Sequence, residues 1–94
     1  MKLRWTEGAI EDLESAHGYL QAESPRAAWE MIATIMSAVE RLEQFPHMGR
    51  PGRVEGSREL PVTGTPFLVA YRLKGESIQI LAVLHAARKW PKRF

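Results

Sequence analysis

The chain has 94 residues, of which 45% are hydrophobic and 26% charged, a composition typical of one globular domain rather than a disordered segment. It has no cysteine, which excludes disulfides, thiol catalysis and cysteine-ligated zinc. The first residues lack the apolar core of a secretory signal, and the longest apolar runs, 67–71 and 80–84, are too short to span a bilayer. We therefore expect a single domain over residues 1–94 in a soluble, cytoplasmic protein.

The charge is distributed unevenly along the chain, although its formal net value is only +2. Residues 1–47 carry four lysines and arginines against eight carboxylates, whereas residues 48–94 carry nine against three. This asymmetry predicts an acidic partner for the second half, either a nucleic acid or an acidic protein. The alternative is that these basic side chains only solvate a surface.

The first half is predicted to form a short strand followed by a helical hairpin. Apolar and polar residues alternate over 2–5, and apolar residues at helical spacing then predict a helix over about 7–21. Ser24 and Pro25 are typical of a helix start, and the second helix should run over about 25–44. Because only a few residues join the two helices, we expect them to be antiparallel.

The second half changes to the period-two pattern of strands. Strands are predicted over about 57–63, 67–73 and 77–84, so the sheet spans about 57–84 and leaves a basic, aromatic tail over 85–94. The order strand–helix–helix–strand–strand–strand predicts an α+β fold. In this fold, a helical hairpin packs on one face of an antiparallel sheet.

The alternation along the last two strands predicts which face of the sheet the helices cover. The more apolar set is expected to face the helices, namely Phe67, Val69, Tyr71, Leu73, Ile78, Ile80, Ala82 and Leu84. The opposite set includes Arg72, Gln79 and His85 and should form an open face. We expect the working surface of the protein on that face.

One candidate catalytic set combines His85 with Arg72 and Arg88. A histidine transfers protons near neutral pH and arginines stabilise a transferring phosphoryl group, so this set suits attack by an RNA 2′-hydroxyl. The alternative is that His85 caps the end of a strand by bonding to the backbone. The spacing of the three histidines matches no metal-binding pattern, and no metal or other cofactor is predicted.

The tail is a second candidate site because it interleaves cations with aromatic residues. Arg88, Lys89, Trp90 and Arg93 could bind phosphates and stack on bases, or anchor a protein partner. A third possibility is that Trp90 closes the hydrophobic core.

Several motifs resemble those of the RelE/ParE superfamily of toxins over nearly the whole chain. In chain order they are Ala9-x-x-Asp12-Leu13, Ser24-Pro25-x-x-Ala28, Pro46-x-x-Gly49-Arg50-Pro51-Gly52, Gly56-Ser57-Arg58-Glu59-Leu60, Pro66-Phe67-x-Val69-x-Tyr71-Arg72 and Ile80-Leu81-x-Val83-Leu84-His85-x-Ala87-Arg88-x-Trp90-Pro91. The resemblance implies the toxin of a bacterial type II toxin–antitoxin module, with a helical hairpin packed on an antiparallel sheet. It also implies an antitoxin partner whose acidic, partly disordered segment wraps the toxin.

The resemblance leaves two targets open, because the branches of the superfamily differ. RelE-like toxins cut mRNA on the ribosome with basic residues on the open sheet face and near the C-terminus, whereas ParE-like toxins inhibit DNA gyrase. The nuclease branch commonly has an arginine three residues before the tyrosine matched by Tyr71, and this chain has Leu68 there. That branch also has an aromatic or acid–base residue near its end, whereas this chain ends in Phe94, which cannot transfer a proton. These departures favour the ParE-like branch.

Under the favoured interpretation, one set of residues contacts the antitoxin or gyrase: Arg72, His85, Arg88, Lys89, Trp90 and Arg93. The alternative is a ribosome-dependent mRNA endonuclease that uses His85, Arg72 and Arg88. A third possibility is a degenerate toxin that only binds its antitoxin.

Overall fold

Two helices and one five-stranded sheet make up residues 1–87, the part of the chain described by the computed structural model. The elements are β1 (Lys2–Trp5), α1 (Glu7–Gln21), α2 (Pro25–Arg41), β2 (Arg50–Pro51), β3 (Arg58–Pro61), β4 (Phe67–Lys74) and β5 (Ser77–His85). The strand order is β1-β5-β4-β3-β2, in which β1 runs parallel to β5 and the other neighbours are antiparallel. The predicted α+β fold is confirmed. Within these residues, neither helix is long and apolar enough to cross a membrane.

Both helices begin at the residues that the sequence predicts. The backbone N–H of Ala9 donates to Thr6 Oγ1 at 3.2 Å, and that of Ala27 donates to Ser24 Oγ at 3.2 Å. Each hydroxyl satisfies one of the amide groups that a helix start leaves unpaired, and such a cap typically stabilises a helix by about 1 kcal/mol.

The structure differs from the prediction at the end of α2, at β2 and in the length of β3, which spans Arg58–Pro61 rather than about 57–63. Helix α2 ends at Arg41 rather than near residue 44, because the next amides bond three residues back, as Leu42 N–H does to the Val39 carbonyl at 3.0 Å. Strand β2 was not predicted, since its two residues are too few to show a periodic pattern. They pair with Glu59 and Arg58 of β3.

The hydrophobic core lies between the helical hairpin and one face of the sheet. Its largest fully buried side chains are Tyr71, Ile35, Leu42, Ile78, Ile80, Val39 and Val69. They lie in α2, in the residue directly after it, and in the central strands β4 and β5. The helices therefore pack on the two longest strands of the sheet. Burial of such side chains contributes roughly 1.5–3 kcal/mol each.

A β-bulge interrupts the pairing of the two central strands. Tyr71 pairs with Ile80, but its neighbour Ala70 pairs with Ala82, which leaves Leu81 as an extra residue on β5. Because side chains alternate between the two faces, one inserted residue reverses the facing of every residue beyond it. On β5 the predicted faces are therefore correct through Leu81 and wrong from Ala82 onward, whereas on β4 they are correct throughout.

The residues after the bulge show this reversal. Val83, expected on the open face, belongs to the hydrophobic core, whereas Ala82 and Leu84, expected under the helices, border a groove on the opposite face. His85 pairs with Phe67, and their rings meet edge to face with centroids 5.5 Å apart. Phe67 packs against the core, so His85 lies on the helix side of the sheet and not on the face predicted for it.

The face of the sheet opposite the helices is less open than predicted. Leu68 is only 2% exposed and Ala70 is fully buried. Glu59, which pairs with Ala70, is also buried, and its carboxylate accepts hydrogen bonds from the Arg53 backbone N–H at 2.7 Å and from Arg50 Nη2 at 3.4 Å. These bonds hold the loop after β2 against this end of the face.

The hydroxyl of Tyr71 joins the sheet to the loop that follows α2. It donates to the Pro46 carbonyl at 2.8 Å and accepts from the Gly49 N–H at 2.9 Å, while Arg58 Nη1 donates to the Gly49 carbonyl at 2.8 Å. A Cβ at position 49 would lie 2.7 Å from the Tyr71 hydroxyl oxygen, so this approach requires glycine.

Replacing Tyr71 by phenylalanine keeps the ring and removes both hydrogen bonds. We expect Tyr71→Phe to lower the free energy of unfolding by about 1–3 kcal/mol, because the buried Gly49 N–H loses its partner. Urea denaturation at neutral pH measures the change. A loss of less than about 0.5 kcal/mol would contradict the assignment.

The same tyrosine predicts a dependence of stability on alkaline pH. Burial raises the pKa of Tyr71 above its ordinary value of 10.0, and the hydrogen bond from Gly49 and the charge of Arg58 only partly oppose it. Since the unfolded phenol ionises first, the contribution of Tyr71 to stability falls as pH rises through 10.0 and is absent from Tyr71→Phe. Urea denaturation at about pH 9 and about pH 11 should show a steeper decline in the unaltered protein. Equal declines in the unaltered protein and in Tyr71→Phe would argue against a raised pKa of Tyr71.

Candidate functional site

A groove of about 880 Å³ crosses the face of the sheet opposite the helices. We call it the reverse-face groove. One wall is the start of α1 and the other is the loop over 54–57, and its floor is formed by β4 and β5. Its lining among residues 1–87 is Thr6, Gly8, Glu11, Asp12, Val54, Glu55, Gly56, Ser57, Arg72, Gln79, Leu81, Ala82 and Leu84.

Arg72 lies exposed on the floor of this groove and is held by its cross-strand neighbour. It pairs with Gln79 in the sheet, and its Nε donates to Gln79 Oε1 at 2.6 Å. This bond fixes the plane of the guanidinium group and leaves the Nη end for an incoming acceptor.

The lining of the reverse-face groove is more acidic than basic. The described residues contribute three carboxylates, from Glu11, Asp12 and Glu55, against the single guanidinium of Arg72. A surface that binds a nucleic acid strand needs an excess of cations to neutralise phosphates. The part of the lining that residues 1–87 contribute is therefore unsuited to a polyanion.

Asp12 accepts a backbone hydrogen bond from β5 beyond the point where β1 ends. Thr6 follows β1, and both its N–H and its hydroxyl donate to the Ile80 carbonyl, at 3.1 and 2.8 Å. Beyond this point the Val83 N–H donates to Asp12 Oδ2 at 3.0 Å. Burial raises the pKa of Asp12; the Val83 hydrogen bond opposes this rise and the charge of Glu11 adds to it. Asp12 thus fastens α1 to the bulged part of β5.

Substitutions at Asp12 should separate its hydrogen bond from its charge. Asp12→Asn keeps an acceptor for the Val83 N–H, whereas Asp12→Ala removes it and should lower the free energy of unfolding by about 1 kcal/mol. Because the folded pKa is raised, the stability contribution of the protonated carboxyl is complete below pH 3.8 and is lost as pH rises through the folded pKa. Urea denaturation from about pH 3 to about pH 7 should show this decline in the unaltered protein relative to Asp12→Asn. Identical pH profiles of the unaltered protein and Asp12→Asn would refute the raised pKa of Asp12.

His85 lines a different cavity, a recess of about 330 Å³ between α1 and the ends of β4 and β5. Its Nδ1 accepts a hydrogen bond from the Ala87 N–H at 3.2 Å, as the strand-capping alternative expects. The prediction that His85 and Arg72 line one open face is wrong, because the bulge at Leu81 turns His85 to the helix side.

The predicted tail residues Arg88, Lys89, Trp90 and Arg93 lie outside the described residues. The sequence nevertheless shows where the positive charge is concentrated. Residues 1–87 contain nine lysines and arginines against eleven carboxylates, whereas residues 88–94 contain four cations and no carboxylate. The basic surplus of the second half therefore comes mainly from its last seven residues.

A recess between the two helices, bordered by an exposed aromatic side chain, was not predicted from the sequence. Trp29 is 63% exposed, and its ring lies 4.5 Å from that of His17, centroid to centroid. Leu13 and Ile32 border the same recess of about 320 Å³. The sequence does carry a signal for it: Trp29 stands outside the apolar stripe that predicts the buried face of α2, which is Ala28, Ile32, Ile35, Val39 and Leu42. No group of three acidic or histidine side chains within residues 1–87 could hold a metal ion.

The fold defines a class of protein. A chain of the ParDE toxin–antitoxin system of P. aeruginosa superimposes on this one with a TM-score of 0.80 and 35% sequence identity, over 88% of this chain and 92% of that one. A helical hairpin on one face of a small sheet is thus the architecture of RelE/ParE-type toxins.

The family follows from the sequence. The sequence model of the family "ParE toxin of type II toxin-antitoxin system, parDE" matches residues 3–90, and the chain belongs to this family. It is 36% identical over 91 residues to Y4kP of Sinorhizobium fredii, covering 97% of this chain and 94% of that protein. It is 32% identical over 84 residues to Toxin RelE2 of Caulobacter vibrioides, covering 89% and 93%. The chain is therefore the toxin of a ParDE-type system, and its partner is an antitoxin.

Proposed function

We propose that this toxin arrests growth by inhibiting DNA gyrase in the cytoplasm, and that its antitoxin prevents the inhibition. Membership of the ParE family supports gyrase as the target. The observation that carries the choice against mRNA cleavage is the acidic lining of the reverse-face groove. The nuclease alternative requires a basic sheet face that can hold phosphates, and three carboxylates against one guanidinium do not provide it.

The separation of the candidate catalytic residues also argues against the nuclease alternative. Arg72 lines the reverse-face groove and His85 lines the recess beside α1, so the two lie on different sides of the sheet. Tyr71 is fully buried with its hydroxyl engaged by Pro46 and Gly49, and Leu68 occupies the position of the nuclease arginine. General acid–base catalysis needs these groups within hydrogen-bonding reach of one phosphate.

We further propose that the basic, aromatic tail binds the antitoxin or gyrase. Its residues Arg88, Lys89, Trp90 and Arg93 combine the side chains that dominate protein interfaces with a concentrated positive charge. An acidic antitoxin segment is a complementary partner for this charge. Exposed Arg72 and half-buried His85 are the remaining candidate contacts.

The target can be identified with the purified toxin after separation from its antitoxin. We expect the toxin to inhibit supercoiling of relaxed plasmid by gyrase, and equimolar antitoxin to restore supercoiling. The parallel assay is cell-free translation with primer extension on the mRNA, in which no new cleavage sites should appear. Codon-specific cleavage with unaffected supercoiling would reverse the assignment, and inactivity in both assays would indicate a degenerate toxin.

Alanine substitution of His85 should distinguish a contact residue from a catalytic one. We expect His85→Ala to change the concentration that inhibits gyrase by less than about tenfold, as most interface residues do. Loss of a general acid or base lowers a rate by about 100- to 10,000-fold, which would indicate catalysis. Arg72→Ala serves as a comparison at the other cavity, and an unchanged urea midpoint confirms that both variants fold.

A further inference from the structure

We propose that the reverse-face groove binds a segment of gyrase in which a lysine or arginine is flanked by apolar side chains. The proposal rests on the proposed function, which gives the toxin a protein target in addition to its antitoxin. It assigns to the groove a ligand chemistry different from the one predicted for the basic tail.

The position of the carboxylates indicates a cation. Glu11 stands on the α1 wall and Glu55 on the loop wall, and both are exposed. Neither forms an ion pair with another of residues 1–87. Asp12, the third carboxylate, is engaged by the Val83 N–H but adds its charge to the same wall. A lysine or arginine entering between the walls would meet opposite charge on both sides.

The floor of the groove indicates apolar neighbours for that cation. Leu81 and Leu84 are half-buried and line the floor, and the small side chain of Ala82 lies between them in sequence. The bulge at Leu81 is what places Ala82 and Leu84 on this face. The volume of about 880 Å³ is sufficient for several side chains of a docked segment.

Arg72 provides a polar contact within the same surface. Its Nη end, held in place by the bond between Nε and Gln79, can donate to a backbone carbonyl or to a single carboxylate of the segment. One guanidinium does not offset the three carboxylates of the lining, so a phosphate backbone or an acidic segment would be repelled. The acidic antitoxin segment that the family resemblance implies is therefore a poorer occupant than a segment of the target.

The test neutralises the two exposed carboxylates without changing their shape. The double variant carries Glu11→Gln and Glu55→Gln, and the matched control carries Glu23→Gln and Glu40→Gln, at exposed positions outside the groove. Binding of each protein to immobilised gyrase and to the antitoxin is measured by surface plasmon resonance at two salt concentrations. Urea denaturation confirms that each protein folds.

We expect the groove variant to bind gyrase about tenfold or more weakly, with a smaller salt dependence, and to bind the antitoxin within about twofold of the unaltered protein. The control should change neither affinity by more than about twofold. Weaker antitoxin binding with unchanged gyrase binding would assign the groove to the antitoxin instead.

Two other results would overturn the proposal. Unchanged affinity for both partners would mean that the carboxylates contact neither, and tighter gyrase binding would indicate an anionic ligand. If the unaltered toxin does not bind gyrase, the proposed function itself fails, and this is seen before any variant is compared.

Discussion

The pairing of β4 with β5, including the extra residue at Leu81, is the constraint on which the rest of the structure depends. These two strands form the centre of the sheet, with β1 added on one side and β3 on the other. The bulge interrupts this pairing close to the place where β1 ends. There Thr6 and Asp12, rather than a further strand residue, bond to the Ile80 carbonyl and the Val83 N–H of β5. The same insertion determines which surface each later side chain reaches.

The fold brings carboxylates from distant parts of the chain together on one surface. The acidic start of α1 comes to face Glu55 across the reverse-face groove, although the two are more than 40 residues apart. The positive charge stays concentrated in the last residues of the sequence. The cations of the last residues and the carboxylates of the groove therefore suit ligands of opposite charge, since electrostatic complementarity controls partner choice and association rate.

Local features of the fold could be predicted from the sequence, whereas the candidate site could be predicted only in part. Thr6 and Ser24 cap helices through hydrogen bonds to amides three residues further along the chain, so these caps can be read from the local sequence. The alternation along 67–73 likewise predicts the two faces of that single strand. The bulge could not be predicted, because it is a property of how two strands align, and because residues 80–84 are all apolar and so do not show which of them face the core. Sequence reasoning therefore placed Arg72 on its correct face and His85 on the wrong one.

The bond between Tyr71 and the Pro46–Gly49 loop has a consequence for genetic studies of toxicity. Selection for cells that survive toxin expression recovers every change that reduces the amount of folded toxin, because cellular proteases remove unfolded chains. Substitutions at Tyr71, Gly49 and Gly52, where an added Cβ would collide with Ser57, should accumulate in such a selection beside true contact residues. Survivors therefore need to be sorted by antitoxin binding, which a correctly folded but inactive toxin retains.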